Sequence, residues 1–354
     1  MKCKFLISLC IWFDIPKTSN PSFDILKFNM HNLYESVNST SWDSQKLHET
    51  HSLLILGNGF DIDLGLQTTY KAFFENEEYW PFKKDVKYEE WSLPFFLNEC
   101  LGAVGTWYDL EEALANYAGC STNEGHIDEE QHKKTKKEFS ILCNALEEYL
   151  KNQEDAFVKK MQENHHAKRM KPSHYVLSYF LRKEIRSIYT FNYTNVRRIA
   201  RQLILGFDDS YTHIHGSLDN SNIILGIGDQ RDIKDDYFNF YKSASPHYES
   251  TNLVEELNSA DEVYIFGHSL GLNDYDYFSE FFKMASKSVH RPFAPGKIKV
   301  RIFTYDDKSE IAIKKQLMNL TEKHLIGLYA HCDFKILKTS NEYQDEWMLH
   351  DELL

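Results

Sequence analysis

The chain has 354 residues, 42% of them apolar, and a formal net charge of −13. That is enough apolar material to build a substantial core in one large domain or two ordinary ones. A surface of that sign argues against general nucleic-acid binding, which needs basic patches to neutralise phosphates.

The six cysteines, Cys3, Cys10, Cys100, Cys120, Cys143 and Cys332, are scattered and include no C-x-x-C pair. The pattern is neither a zinc framework nor a secreted disulfide scaffold, and free thiols in a reducing cytoplasm are the simplest reading. The first 13 residues place two lysines ahead of a short apolar run, as a signal peptide does, but Asp14 and Pro16 follow directly and no small-residue cleavage site appears. The run is too short to span a bilayer as a helix. The expectation is a cytoplasmic chain with no membrane segment, for which Met30 is an equally good beginning. Residues 1–50, rich in Ser, Asn and Thr toward their end, read as an N-terminal arm or linker.

The core is expected over 51–340, with 341–354 as a C-terminal tail. It opens at 52–56 with a nearly unbroken apolar run, as in a strand covered on both faces. Gly57-Asn58-Gly59-Phe60-Asp61 follows, then Gly65. Glycines without a Cβ let the backbone turn sharply and lie close to a neighbour, and a helix starting after such a turn points its unpaired N–H groups at the gap. Phosphate is the natural occupant, although Gly65 comes too late for G-x-G-x-x-G. A plain tight turn is the competing reading.

A helix around 70–74 is expected next, followed by a strongly charged helical insertion over 76–170. Its clearest helix runs over 138–160, where Phe139, Leu142, Leu146, Tyr149 and Leu150 recur at steps of three and four. The α/β rhythm then resumes. Helices are expected at 174–182, 196–205, near 253, between 266 and 298, and at 309–324. Strands are expected at 187–191, 211–215, 222–225, 262–266, 298–304 and 334–337. The fold class is α/β, a mostly parallel Rossmann-like sheet with a helical insertion, whose ligands sit outside the carboxyl ends of the strands.

Four polar clusters follow strands: Gly57 to Asp61, Thr190-Phe191-Asn192-Tyr193-Thr194, His213-Ile214-His215-Gly216 and Gly267-His268-Ser269-Leu270-Gly271. Each has a plain alternative. Asn192 also suits a cap for the following helix, His215 a structural histidine bonded to backbone, Glu111 a helix-surface acid, and Trp107 a core residue. His213 and His215, two apart on a strand, share a face, but no third ligand is spaced to complete a metal site. No metal is expected.

With Trp107-Tyr108-Asp109-Leu110-Glu111 and Asn273-Asp274-Tyr275, these clusters are similar to the AbiH phage abortive-infection family over most of residues 51–305. More remotely they resemble the sirtuin fold. Its NAD-binding glycines look like Gly57, Gly59 and Gly65, its Thr-x-Asn like Thr190 to Asn192, its catalytic His-Gly like His215-Gly216, and its nucleotide-contacting Gly-x-Ser like Gly267 to Ser269. The sirtuin Asp two residues after the Asn is Thr194 here, Thr68 and Tyr70 replace an Asp and an Arg, and the four-cysteine zinc site is missing. These departures weigh against protein deacylation. The resemblance implies phage defence through NAD or a related nucleotide, as ligand or as substrate for cleavage of its nicotinamide–ribose bond.

Such cleavage passes through a positively charged sugar and needs a held pyrophosphate, an oriented ribose and a nearby water or base. On that reading Gly57, Asn58, Gly59, Phe60, Asp61, Gly65, Gly267, His268 and Ser269 bind the nucleotide, while Asn192, His215 and Glu111 carry the chemistry. Two rivals remain. Gly267 to Gly271 matches the G-x-S-x-G nucleophile elbow, with Asp306 and His331 in triad order, although the delayed helix start after it is wrong for an elbow. The chain could instead be a non-catalytic sensor of nucleotide that meets a phage-derived trigger protein, with an oligomer open in every case.

Overall fold

The computed structural model describes residues 50–90, 92–102, 109–119, 129–163, 171–203, 210–287 and 297–340. The expected arm (except Thr50), the expected tail, and Trp107 and Tyr108 lie outside them.

The architecture grows from β1 (His51–Leu56), whose last five residues are buried. It is flanked by β2 (Ile185–Thr190) and β4 (Glu262–Phe266), both parallel to it. With β3 (Thr212–His213), β5 (Lys299–Thr304) and β6 (Asp333–Lys338), these form one parallel sheet in the order β3-β2-β1-β4-β5-β6. Connections run outward in one direction from β1 to β3 and in the other from β4 to β6. The strand order therefore reverses between β1 and β4, where doubly wound sheets open a crevice at their carboxyl ends.

Strand periodicity divides the apolar residues between two faces. Leu53, Ile55, Val263, Ile265, Val300 and Ile302 pack with helices α8 (Leu253–Ser259), α9 (Tyr275–Ser286), α10 (Asp307–Leu320) and α11 (Leu325–His331). Leu54, Leu56, Ile188, Tyr264, Phe266 and Phe303 pack with α1 (Asn58–Leu64), α6 (Pro172–Phe180) and α7 (Val196–Leu203). A third core gathers Phe73 and Phe74 of α2 (Tyr70–Glu75), Leu93 of α3 (Leu93–Gly102) and Leu114 of α4 (Leu110–Gly119) with Trp80 and Phe240.

Helix α5 (Glu129–Glu163) joins two of these cores. Leu142, Leu146 and Tyr149 belong to the helical core, and Phe157, Val158 and Met161 to the sheet face. Its 35 residues span about 52 Å at 1.5 Å per residue.

Three local expectations are corrected. β3 is shorter than 211–215, because Gly216 at φ +74° turns the chain just beyond it. No ladder forms at 222–225. There the Ile224 N–H donates to the His215 carbonyl (2.8 Å) and the Ser217 N–H to Asn222 Oδ1 (2.8 Å), so Ile223 to Leu225 fold inward as a buried loop. The helix expected over 309–324 ends at Leu320 as α10, before Glu322 and Lys323 take left-handed φ values of 50° and 67°, and α11 beyond them was not expected.

The β1 and β4 loops meet backbone to backbone. A Cβ on Gly267, which sits at φ +64°, would lie 2.4 Å from Gly59 Cα. Gly65 differs: it is the left-handed C-cap of α1 at φ +104°, and a Cβ there would have nothing within 4 Å. Gly267→Ala should therefore cost at least about 3 kcal/mol, from overpacking and strain together. Gly65→Ala should cost about 1–2 kcal/mol, from strain alone. Urea unfolding of the two variants measures the difference.

Candidate functional site

Residues from five segments converge beyond the carboxyl ends of the strands. Lys242 opens a short 3-10 turn, Lys242–Ala244, and is almost wholly buried. Its ammonium lies 3.1 Å from Asp274 Oδ1 and 3.1 Å from Glu111 Oε2. Asp274 ends the 3-10 turn before α9. Glu111 stands in the first turn of α4, where Asp109 Oδ1 accepts the N–H groups of Glu111 (3.0 Å) and Glu112 (3.1 Å). Tyr70 donates to Glu111 Oε1 (3.1 Å) and Asn273 Nδ2 to Oε2 (2.9 Å). Glu111 is thus a buried network member and not a helix-surface acid.

Two histidines close on Asp274. His268 Nδ1 accepts the Leu270 N–H (3.0 Å), so its Nε2 carries the hydrogen that faces Asp274 Oδ2 at 3.3 Å. His215 Nε2 lies 2.8 Å from Asp274 Oδ1 and 3.3 Å from the Lys242 ammonium. An ammonium has only hydrogens to offer, and the carboxylate only lone pairs. The 2.8 Å contact is a bond from His215 Nε2–H to Asp274, which leaves Nδ1 with a lone pair. That Nδ1 is buried and has no hydrogen-bond partner among the described residues.

Charge and burial set the protonation of this cluster. Burial, then the Lys242 ammonium, push the His215 imidazole down to about 4 against the pull of Asp274. It is neutral at neutral pH. Burial works against Asp274 ionising, but Lys242, His215 and His268 together hold it well below the usual carboxylate range. Burial also opposes charge on Lys242, yet Asp274 and Glu111 hold it above an ordinary lysine. Burial raises the Glu111 carboxyl, and Lys242 opposes the rise.

A second group lies beside the first. Asn192 Nδ2 donates to Asp61 Oδ1 (3.0 Å), Thr194 Oγ1 donates to Asp61 Oδ2 (2.7 Å), and the Asn192 N–H goes to Thr190 Oγ1 (3.1 Å). His213 Nδ1 donates to the Asn192 carbonyl (2.8 Å). Asn192 Oδ1 is buried without a partner. Asn192 does not cap a helix: Asn195 does, accepting the Arg198 N–H at 2.7 Å. Phe191, the residue before Asn192, packs against the first group, its ring 5.2 Å from that of His215 and 4.3 Å from that of His268.

The remaining candidates are placed as follows. The Gly57 N–H donates to the Phe266 carbonyl (2.9 Å), the Gly59 N–H to the Gly267 carbonyl (2.9 Å), and the Phe60 N–H to the Gly57 carbonyl (2.9 Å). These donors are engaged within the protein, and the approach the glycines permit is to backbone of the β4 loop. Asn58 and Thr68 bond to each other through Asn58 Nδ2 to Thr68 O (3.1 Å) and Thr68 Oγ1 to Asn58 Oδ1 (2.5 Å). Phe60 is a core residue, edge-on to Phe266 at 6.1 Å. Gly65 ends α1, about 9 Å along the helix from Gly59. Among the described residues no group of three or more His, Cys, Asp or Glu side chains could hold a metal ion.

The hydrolase triad does not assemble. Ser269 follows β4, at the carboxyl end of the sheet, whereas His331 precedes β6, at the amino end. Asp306 instead caps α10, accepting the Ser309 N–H at 2.8 Å. The positive φ values fall at Gly267 and Leu270, and not at the serine that an elbow would strain.

The family model for bacteriophage abortive infection AbiH matches residues 53–293, most of the chain. The chain belongs to the AbiH family. The match ends before β5, so every member of both AbiH groups lies inside it and Asp306 and His331 lie outside. No curated protein sequence matches the chain. No helix among the described residues of this AbiH chain is long and apolar enough to cross a membrane.

Sequence patterns missed Lys242. A lysine in a turn of polar and aromatic residues reads as solvated, and no local signal marks it as buried. Asp274 stood only within a family motif, and Thr194 only as a departure from the sirtuin pattern.

Burial pushes the Asp61 carboxyl up to about 7 against its bonds from Thr194 and Asn192. A carboxyl raised in the fold stabilises most below its unfolded value, and that stability is lost as pH rises through the folded value. Between pH 5 and 8 the wild type should lose on the order of 2 kcal/mol that Asp61→Asn does not lose, as denaturant unfolding at the two pH values will show.

Proposed function

We propose that this AbiH chain is a cytoplasmic phage-defence protein that binds a nucleotide of the NAD class and hydrolyses its nicotinamide–ribose bond. One observation carries the reading: His215 Nδ1 and Asn192 Oδ1 are buried acceptors left without donors, among charged groups that are all paired. An unmade bond at a buried polar atom costs about 1–3 kcal/mol, which a ligand supplying the donor recovers. Buried acceptors of this kind call for hydroxyls and water, as a ribose and an attacking water provide. They do not suit phosphate, which is itself an acceptor.

The chemistry asks little of a base. As the C1′–N bond breaks, its electron pair leaves with nicotinamide, whose ring loses its positive charge while the sugar gains one. Water adds at C1′ and its proton passes to solvent. Neutral His215 accepts a ribose hydroxyl hydrogen, and Asn192 Oδ1 orients the water or a second hydroxyl. Glu111 acts as counter-charge to Lys242, since its oxygens are held by Tyr70, Asn273 and that ammonium. Phosphate contact at the Gly57–Gly59 turn would have to displace the Gly59–Gly267 bond, so the reading rests on the ribose-reading groups. The strand order supports it, because the crevice of such a sheet takes dinucleotides.

Purified protein incubated with NAD should release free nicotinamide. His215→Ala and Asn192→Ala should each slow release by about 100-fold or more, while His331→Ala, at the other end of the sheet, leaves it unchanged. NAD binding by calorimetry without release above a heat-inactivated control would turn the reading to a non-catalytic sensor. Absence of binding would remove the nucleotide altogether.

A further inference from the structure

The hydroxyl-accepting role of His215 depends on which ring nitrogen carries the hydrogen, because only the bare nitrogen can accept. The groups that decide this lie behind the imidazole. We infer that Lys242 and Asp274 are positioning residues for His215: Asp274 takes the Nε2–H into the interior, and Lys242 holds Asp274 as an anion, so that the Nδ1 lone pair is the side kept for the ligand.

The inference rests on the reading of His215 given above, and its own support is geometric. Lys242 Nζ and His215 Nε2 both reach the same oxygen, Asp274 Oδ1, at 3.1 and 2.8 Å. The second carboxylate oxygen is engaged by His268 Nε2 at 3.3 Å, so Asp274 has no slack to rotate away. Lys242 is held in turn by Glu111 at 3.1 Å, and its backbone N–H donates to the Ile227 carbonyl at 2.9 Å. The other titratable groups facing the cluster include Tyr70 and Asp109 beside Glu111, and Tyr193 and Tyr277, the last with its ring 6.0 Å from the His215 ring. The cluster pairs its charges and leaves one buried nitrogen, His215 Nδ1, without a partner among the described residues. The same ammonium also opposes a second proton on His215.

The test reads the imidazole itself. Full-length protein labelled with 15N-histidine, with the His215 signals assigned by their loss in His215→Gln, should show the neutral Nε2–H tautomer from about pH 8 down to about pH 5.5. Lys242→Met alone leaves Glu111 and Asp274 uncompensated, so the charge-balanced double variant Lys242→Met/Glu111→Gln is used. Its His215 midpoint should rise by about one pH unit or more, and the acid limb of nicotinamide release should move with it. Asp274→Ala should let the Nδ1–H tautomer appear. A wild-type His215 that carries its hydrogen on Nδ1, or titrates near 6.5, overturns the inference. So does an unmoved midpoint in the double variant. The expected tautomer in a wild type that releases no nicotinamide sustains this inference and counts against the glycohydrolase reading instead.

Discussion

A buried ammonium needs negative partners on every side that water has left, and in this chain those partners come from distant parts of the sequence. Lys242 draws Glu111 from the helical insertion and Asp274 from the turn before α9. Taking one member away would strand the others in a low dielectric, at about 3–5 kcal/mol. The contact therefore makes α4 a wall of the site and not an appendage to the sheet. Helix α5 supports the same union from the other side. Its Tyr149 hydroxyl donates to the Gln67 carbonyl at 2.6 Å, and Glu154 Oε2 accepts the Asn195 N–H at 2.8 Å. Both loops that frame Asp61 and Asn192 are thus tied to one rod.

Two aspartates then do similar work on two neutral neighbours. Asp274 takes the donor nitrogen of His215, and Asp61 takes the amide nitrogen of Asn192. In each pair the donor side is bound inward and the acceptor side is left over. Hydrogen-bond accounting in a protein interior is nearly complete as a rule. Two unmade acceptors are therefore the atoms at which a ligand's donors would be received. Charge pairing behind His215 and hydrogen bonds behind Asn192 hold these side chains in place before a ligand arrives.

The sheet contributes position more than contact. Reversal of strand order between β1 and β4 gathers the carboxyl-end loops around one point. At that point the protein uses its glycines on itself. Gly59 and Gly267 approach so closely that neither tolerates a Cβ, and their backbones share a hydrogen bond. What the turn offers is a firm floor, with the polar chemistry displaced toward β2 and β3. The family match ends where this floor and its surroundings are complete, ahead of the two outer strands.

Much of this was legible in residue order. An apolar run at 52–56 reads as a strand buried on both faces, alternation of strands with helices implies a mostly parallel sheet, and polar clusters after strands mark its carboxyl edge. Asn192, His215 and His268 were found in such clusters, because their signal is local, whereas Glu111 entered only with the family motif. Lys242 was missed, since burial of a lysine depends on carboxylates 131 and 32 positions away, and no short pattern encodes them. The tautomer of His215 and the orientation of Asn192 likewise depend on partners brought close by folding. The fate of the glycine turn is a third case. Sequence determined that backbone could come near it, and only the packing of two loops decided that the backbone would be the protein's own. Local propensities are written along the chain, whereas the pairing of buried charges and the occupancy of close contacts exist only once distant segments share one interior.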